Sequence, residues 1–444
     1  MQHSIFSREL VESIVDELKI TDLAQATIGQ VVLLASALEK RTGIPFIRMD
    51  QGVPGLEPCR IGIEAEKAAL DTGIAAIYPA AEGVSELKQE TSRFVKAFLD
   101  VDISPESCVP VTGSVAGSFG SFIIASQCSP GKDTVLFIDP GFPIQKSQLR
   151  ILGVKHLQFD IFNYRGEALR EKLESYLKEG NIAAIIYSNP NNPAWICLEE
   201  QELKIIGELA TRYDTLILED LAYFAMDFRK DLSRPFEPPF QATVARYTDN
   251  YILMLSASKI FSYAGQRMAV VCVSDKLFHR RYPALAERYN GAGIFGPTFI
   301  NAILYMITSG ASHSVQFGLA AMYKAASDGK INFVEETMEY GRRAERMKRL
   351  FCENGFFVVY DRDVEEKIGD GFFFTIGYPG LTSGELMREL LYYGISSITL
   401  NTTGSEQQGI RACTSRMSEN LFDVLEQRLK AFHADHEGGS ATER

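Results

Sequence analysis

Residues 256–267 read Ser-Ala-Ser-Lys-Ile-Phe-Ser-Tyr-Ala-Gly-Gln-Arg. One amine, Lys259, stands beside two hydroxyls, Ser256 and Ser258, and the guanidinium of Arg267 follows eight residues on. An amine can condense with an aldehyde to form a Schiff base. Hydroxyls and a guanidinium can hold an anion. Together they suit a small molecule that carries both an aldehyde and a phosphate. A lysine in a strand-to-loop turn is more often a solvated turn residue, so the stretch needs neighbours before it means chemistry.

Those neighbours come from the elements that position it. Tyr251–Leu255 is a continuous apolar run that reads as a buried strand, and similar runs occur at Thr134–Asp139, Ala183–Tyr187, Thr215–Glu219 and Met268–Val273. Continuous runs fit strands covered on both faces. Between them lie amphipathic stretches such as Glu199–Tyr213, with Leu203, Ile206 and Leu209 on one face. The pattern predicts an α/β fold: a mostly parallel central sheet with helices on both faces. Open sheets of this kind place ligands beyond the carboxyl ends of their strands. There the sequence offers Pro140-Gly-Phe142, then Asn189-Pro-Asn-Asn192, then Asp220-Leu-Ala-Tyr223, then the Lys259 segment. One sheet edge thus collects an aromatic ring, amides, a carboxylate with a phenol, and an amine.

In this order the chain resembles the fold-type-I pyridoxal phosphate (PLP)-dependent aminotransferases of the class I/II family. The matching motifs run from Gln51-Gly52-Val-Pro54 through Tyr78-Pro-Ala-Ala-Glu-Gly83, Thr112-Gly-Ser114, Pro140-Gly-Phe142, Asn189-Pro-Asn-Asn-Pro193, Asp220-Leu-Ala-Tyr223 and Ser256 to Arg267, and end at Arg411. The resemblance implies PLP as cofactor, with Lys259 as its Schiff-base partner and proton carrier. It implies Asp220 on the pyridine nitrogen, and Asn192 and Tyr223 on the ring's phenolic oxygen. Phe142 would stack on one ring face, although core packing explains it equally well, and Ala222 would lie on the other. Phosphate would fall to Gly113, Ser114 and Val115 at the start of a helix, with Ser256, Ser258 and Arg267. Tyr78 would reach the phosphate of a neighbouring subunit, which implies a homodimer. Arg411 would clamp the substrate α-carboxylate, with Gly52 and Asn192 beside it; Arg416, five residues on, is the competitor. Glu219 points to the opposite face of its strand and reads as structural.

The implied activity moves an amino group between an L-amino acid and a 2-oxo acid by a ping-pong path. Another fold-type-I PLP enzyme, such as a carbon–sulfur lyase or an aminocyclopropanecarboxylate synthase-like enzyme, would keep the same cofactor set. One departure stands out. The family's Asn-Pro-Thr-Gly or Asn-Pro-Ser-Gly is replaced here by Asn192-Pro-Ala-Trp195, which should alter the turn after Pro193 and bring the only tryptophan near the site. No second arginine suggests itself for a side-chain carboxylate.

Composition sets the outer bounds. The chain has 444 residues, 46% hydrophobic and 23% charged, with a formal net charge of −12. A polyanion is a poor partner for nucleic acid or an anionic membrane, and no apolar run approaches a membrane span. Seven scattered cysteines without a CxxC, and a start without signal-peptide layout, point to the cytoplasm. Six histidines suggest no metal set, since His433 and His436, three apart, have no further His or Cys beside them in the sequence. The expected organisation is a large PLP-binding domain over 62–308, a smaller α+β domain from 1–61 and 309–435, and a disordered tail at 436–444.

Overall fold

The structure is a computed structural model that describes residues 3–436; of the expected tail, 437–444 lie outside the described residues, and His436 still belongs to the last helix. The chain forms two compact units. The larger holds Leu56–Asn191 and Cys197–Thr337; the smaller holds Met1–Gly55, Asn192–Ile196 and Met338–Arg444.

The larger unit is built on a seven-stranded sheet. Its strands are β1 (Cys108–Val111), β2 (Thr134–Asp139), β3 (Lys155–Asp160), β4 (Ile182–Ser188), β5 (Leu216–Leu221), β6 (Tyr251–Ser256) and β7 (Ala269–Val273), in the spatial order β1-β7-β6-β5-β4-β2-β3. Strands β2 to β6 run parallel, and β7 is antiparallel to both of its neighbours. The continuous apolar runs correspond to strands that are buried along their whole length. Two strands gave no such signal, and both lie at the sheet's edges. The first four residues of β3 are exposed, so three of Lys-His-Leu-Gln are polar. Strand β1 is four residues long and contains Pro110, which an edge strand tolerates.

Helices connect the strands of the sheet: α1 (Gly113–Ala125), α2 (Pro143–Leu152) and α3 (Glu200–Arg212) each follow a strand. The core between them is apolar, with Phe122, Phe137, Ile186, Leu218 and Met254 all at most 2% exposed. The larger unit extends beyond the expected boundary at 308. Helix His313–Ser327 packs along Arg60–Asp71 and Ser85–Leu99, so closely that a Cβ on Gly318 would lie 2.9 Å from the Gly62 carbonyl oxygen. Phe333 then joins Phe94, Phe98, Phe224 and Phe261 in one aromatic cluster. Apolar burial, rather than the change in sequence texture, places 309–337 with the large sheet.

The smaller unit contains a four-stranded antiparallel sheet of β8 (Phe357–Val358), β9 (Phe373–Gly377), β10 (Ile398–Thr399) and β11 (Ile410–Cys413), ordered β10-β11-β9-β8. Ser383–Tyr392 and Glu419–His436 supply its later helices, and Arg8–Glu17 and Ile28–Thr42 its early ones. Both ends of the chain therefore build this unit, as the helical pattern of the first residues suggests. Within it, Ile47–Arg48 pairs in parallel with Ile395–Ser396. No helix among the described residues is long and apolar enough to cross a membrane.

Candidate active site

Topology explains why one edge of the large sheet gathers reactive groups. The parallel strands all end there: Ser188 pairs with Asp220, and Asp139 with Asp160. Ser256 at the end of β6 pairs with Ala269 at the start of β7, and Ala269 in turn pairs with Val111 at the end of β1. Three chain segments therefore meet at this edge, carrying Gly113, Lys259 and Arg267. Lys259 sits, half-buried, in the short helical turn Ala257–Ile260. Ser256 Oγ accepts from the Ser258 N–H at 3.2 Å and so caps that turn.

Arg267 has φ +51°, a left-handed conformation, and its Nη1 donates to the Ala264 carbonyl at 2.7 Å. A Cβ on Gly113 would stand 2.6 Å from Arg267 Nη2, and Gly113 itself has φ +76°. Only glycine allows the guanidinium to come so close to the start of α1. That start carries no side-chain cap. The exposed guanidinium, the helix N-terminus with Ser114 and Val115, and the Ser256 and Ser258 hydroxyls form a ready cradle for an anion.

Asp220, near the end of β5, is 6% exposed. Its Oδ1 accepts from the Ala222 N–H at 3.1 Å and its Oδ2 from the Gln145 side-chain amide at 3.0 Å. Burial pushes its pKa up to about 6, and these two neutral donors offset only part of that shift. Among the described residues no cation pairs with this carboxylate. Its neighbour Glu219 faces the other way, accepting from Thr243 Oγ1 at 2.6 Å and the Val244 N–H at 3.2 Å, and burial lifts it to about 7. The alternation of the strand thus separates a carboxylate at the candidate site from a structural one. Tyr223 is buried, while Phe142 and Ala222 are half-buried around the same strand ends. Tyr78 belongs to this unit too, and its side chain is 87% exposed.

Arg411, Asn192 and Gly52 come together in the smaller unit. Arg411 lies on β11 and is 1% exposed, which sets it apart from the exposed Arg416. Its Nη1 donates to Asn192 Oδ1 at 3.1 Å and its Nη2 to the Asp50 carbonyl at 2.8 Å, with the guanidinium 4.4 Å above the Phe373 ring. Asp50 is itself fixed: Arg48 donates to its two carboxylate oxygens at 2.9 and 3.0 Å, and Ser396 Oγ donates at 2.6 Å. Burial alone would raise the Asp50 carboxyl, but these partners hold it below its usual range. Gly52 meets the same ring, since a Cβ there would lie 3.0 Å from Phe373 Cζ.

The model of the family described as aminotransferase class I and II matches residues 44–429. The chain belongs to this family. A curated relative of similar length is the (5-formylfuran-3-yl)methyl phosphate transaminase of Methanocaldococcus jannaschii, 26% identical over 91% of this chain and 96% of its own. The aspartate aminotransferase of Sulfolobus acidocaldarius is 22% identical, over 60% of this chain and 66% of its own length. The chain thus spans slightly less than two thirds of that relative. Among solved structures, the alanine aminotransferase from Pyrococcus furiosus superposes with a TM-score of 0.74 over 94% of this chain and 99% of that one, at 19% identity. That likeness shows the fold.

Class I and II aminotransferases are PLP-dependent transaminases, and the residues present fit the cofactor. A buried carboxylate held only by neutral N–H donors among the described residues suits a protonated pyridine nitrogen, and the Gly113–Arg267 approach suits a phosphate. Gln145 and Phe373 escaped the sequence reading. Gln145 could have been suspected as a long polar side chain in the first turn after Phe142. Phe373 carried no signal, because a ring beneath Arg411 looks in sequence like any core phenylalanine.

Proposed function

We propose that the protein is a PLP-dependent aminotransferase that moves an amino group between an L-amino acid and a 2-oxo acid by a ping-pong mechanism. The observation that carries this reading is Asp220: a buried carboxylate at a strand end, raised to about 6 and held by two N–H donors. PLP, when bound, supplies an aldehyde conjugated to a ring that can take up electrons from the substrate α-carbon. Asp220 would hold the ring nitrogen's proton, and Gln145 orients Asp220. Lys259 would supply the amine that takes the aldehyde and the base for the α-proton. Asn192 and Tyr223 would be the donors to the phenolic oxygen, and Phe142 and Ala222 would be the residues against the ring. Arg267, the helix start at Gly113–Val115, Ser256 and Ser258 would hold the phosphate. Arg411, with Asn192 and Gly52, would fix the substrate α-carboxylate.

The working unit of this reading is a homodimer in the cytoplasm, with Tyr78 reaching the phosphate of a second copy. Supporting it, the large unit exposes the adjacent apolar side chains Ile77, at 61%, and Tyr78, at 87%. All seven cysteines are free thiols, as a reducing compartment keeps them. The test is a half-reaction screen. The PLP-loaded protein is mixed with each common amino acid, and conversion to the aminated cofactor with release of the matching 2-oxo acid is expected. Release of ammonia and pyruvate would instead reveal a lyase, and an inert chromophore would overturn both readings.

A further inference from the structure

Trp195 stands where the family carries glycine, and its backbone shows why that matters. It takes φ +65°, in the left-handed region that favours glycine and strains a bulky side chain. Such strain persists only where the surroundings over-determine the residue. Here the indole is 0% exposed. A Cβ on Gly371 would fall 2.0 Å from its Cε2 and Cζ2, so only glycine at 371 leaves room for the ring. The indole meets the Phe373 ring edge-on, with centroids 6.4 Å apart and planes at 66°. Phe373, also 0% exposed, is the ring beneath the Arg411 guanidinium. The same short segment supplies Asn192, which accepts from Arg411 Nη1. One end of Asn192–Trp195 thus holds the guanidinium edge, and the other props the ring below it.

We propose that Trp195 is a positioning residue for Arg411, acting through Phe373 to hold the guanidinium in the pose that grips the substrate α-carboxylate. Both aromatic rings are fully buried, so neither reads the substrate side chain directly. What they supply is a rigid floor. A guanidinium restrained on two edges and one face loses little freedom when it takes up a carboxylate. The glycine-to-tryptophan exchange thereby places a buried strut in this turn, and Gly371, in the bend just before β9, is its counterpart. This inference rests on the assignment of Arg411 to the α-carboxylate.

The test uses PLP-loaded protein and compares an amino acid with the amine that lacks its carboxylate, such as L-phenylalanine against 2-phenylethylamine. In Trp195→Leu the preference for the amino acid falls about tenfold, through KM more than kcat, while the cofactor absorbance is unchanged. Trp195→Phe keeps most of the preference. A 2-methyl amino acid, which binds without an α-hydrogen to lose, shows the same order in its Kd by cofactor spectrum. Should Trp195→Leu not fold, Phe373→Leu and Trp195→Met carry the test. Each alone must lower the preference, and the double variant must lower it no further than Phe373→Leu does. Equal losses on amino acid and amine, or additive effects in the double variant, would overturn the proposal alone. Wild-type protein inert to every amino acid would overturn the aminotransferase reading and this proposal with it.

Discussion

The reactive groups of the large unit hang from the ends of one sheet, whereas Arg411 in the small unit is held by segments far apart in the chain. Asp220 lies at the end of a buried strand, Lys259 just after one and Arg267 just before one, and parallel pairing, with the antiparallel return of β7, brings those ends to one edge. Arg411 instead depends on Asn192, 219 residues away, and on the Asp50 carbonyl, 361 residues away. The first arrangement is a consequence of topology; the second is a product of packing. Substitutions should therefore act differently in the two regions, removing chemistry in one and recognition in the other.

Lys259→Ala gives the sharpest break. Turnover should fall by on the order of 10³-fold or more, with loss of the covalently held chromophore and an unchanged circular dichroism spectrum. Retained turnover would end the assignment of the large unit's edge. Arg411→Lys should leave the chromophore intact while KM for the amino acid rises about 10- to 100-fold, because a point charge replaces a two-pronged donor. A change in cofactor spectrum as large as the change in KM would erase the proposed division of labour.

A third outcome follows from Asp220. Its folded-state pKa lies above the ordinary carboxylate value, so the folded state disfavours the ionised form. Stability is fully present below about pH 3.8 and is lost as pH rises toward about 6. The loss amounts to about 3 kcal/mol at most. Cofactor-free Asp220→Asn should accordingly melt higher than cofactor-free wild type at pH 8, and the gap should close near pH 4. Added PLP should reverse the order, because only the carboxylate gains a pyridinium partner. Melting curves at the two pH values decide it. The smallest effect is expected next door. Glu219→Gln should change PLP affinity by less than about twofold, since Glu219 serves the Thr243 loop on the other face. A large loss of affinity there would mean the strand alternation has been misassigned.

Much of this was legible beforehand because buried parallel strands write themselves as continuous apolar runs, and the candidate site residues lie at or just after their ends. Strands β1 and β3 were not legible: β1 is buried but only four residues long and interrupted by Pro110, and β3 exposes its first four residues and so needs no apolar run. The large unit's reach to Thr337 was hidden as well, since Phe333 looks like the start of a charged helix until its aromatic partners are known. The turn at Trp195 was expected to change with the loss of glycine; instead the tryptophan itself adopts the left-handed conformation, held by Gly371.

By itself, then, the sequence determined the α/β class, the order of the strand ends, and the set of groups at the large sheet's edge, because each is written within a few consecutive residues. Only the tertiary structure decided what surrounds them: the Gln145 amide on Asp220, the guanidinium of Arg267 against Gly113, and the Phe373 floor under Arg411 with Trp195 behind it. The physical reason is range. Strand periodicity and turn chemistry act between neighbours in sequence, whereas close packing joins any residues whose shapes fit, and that fit has no signature in a single chain's spacing.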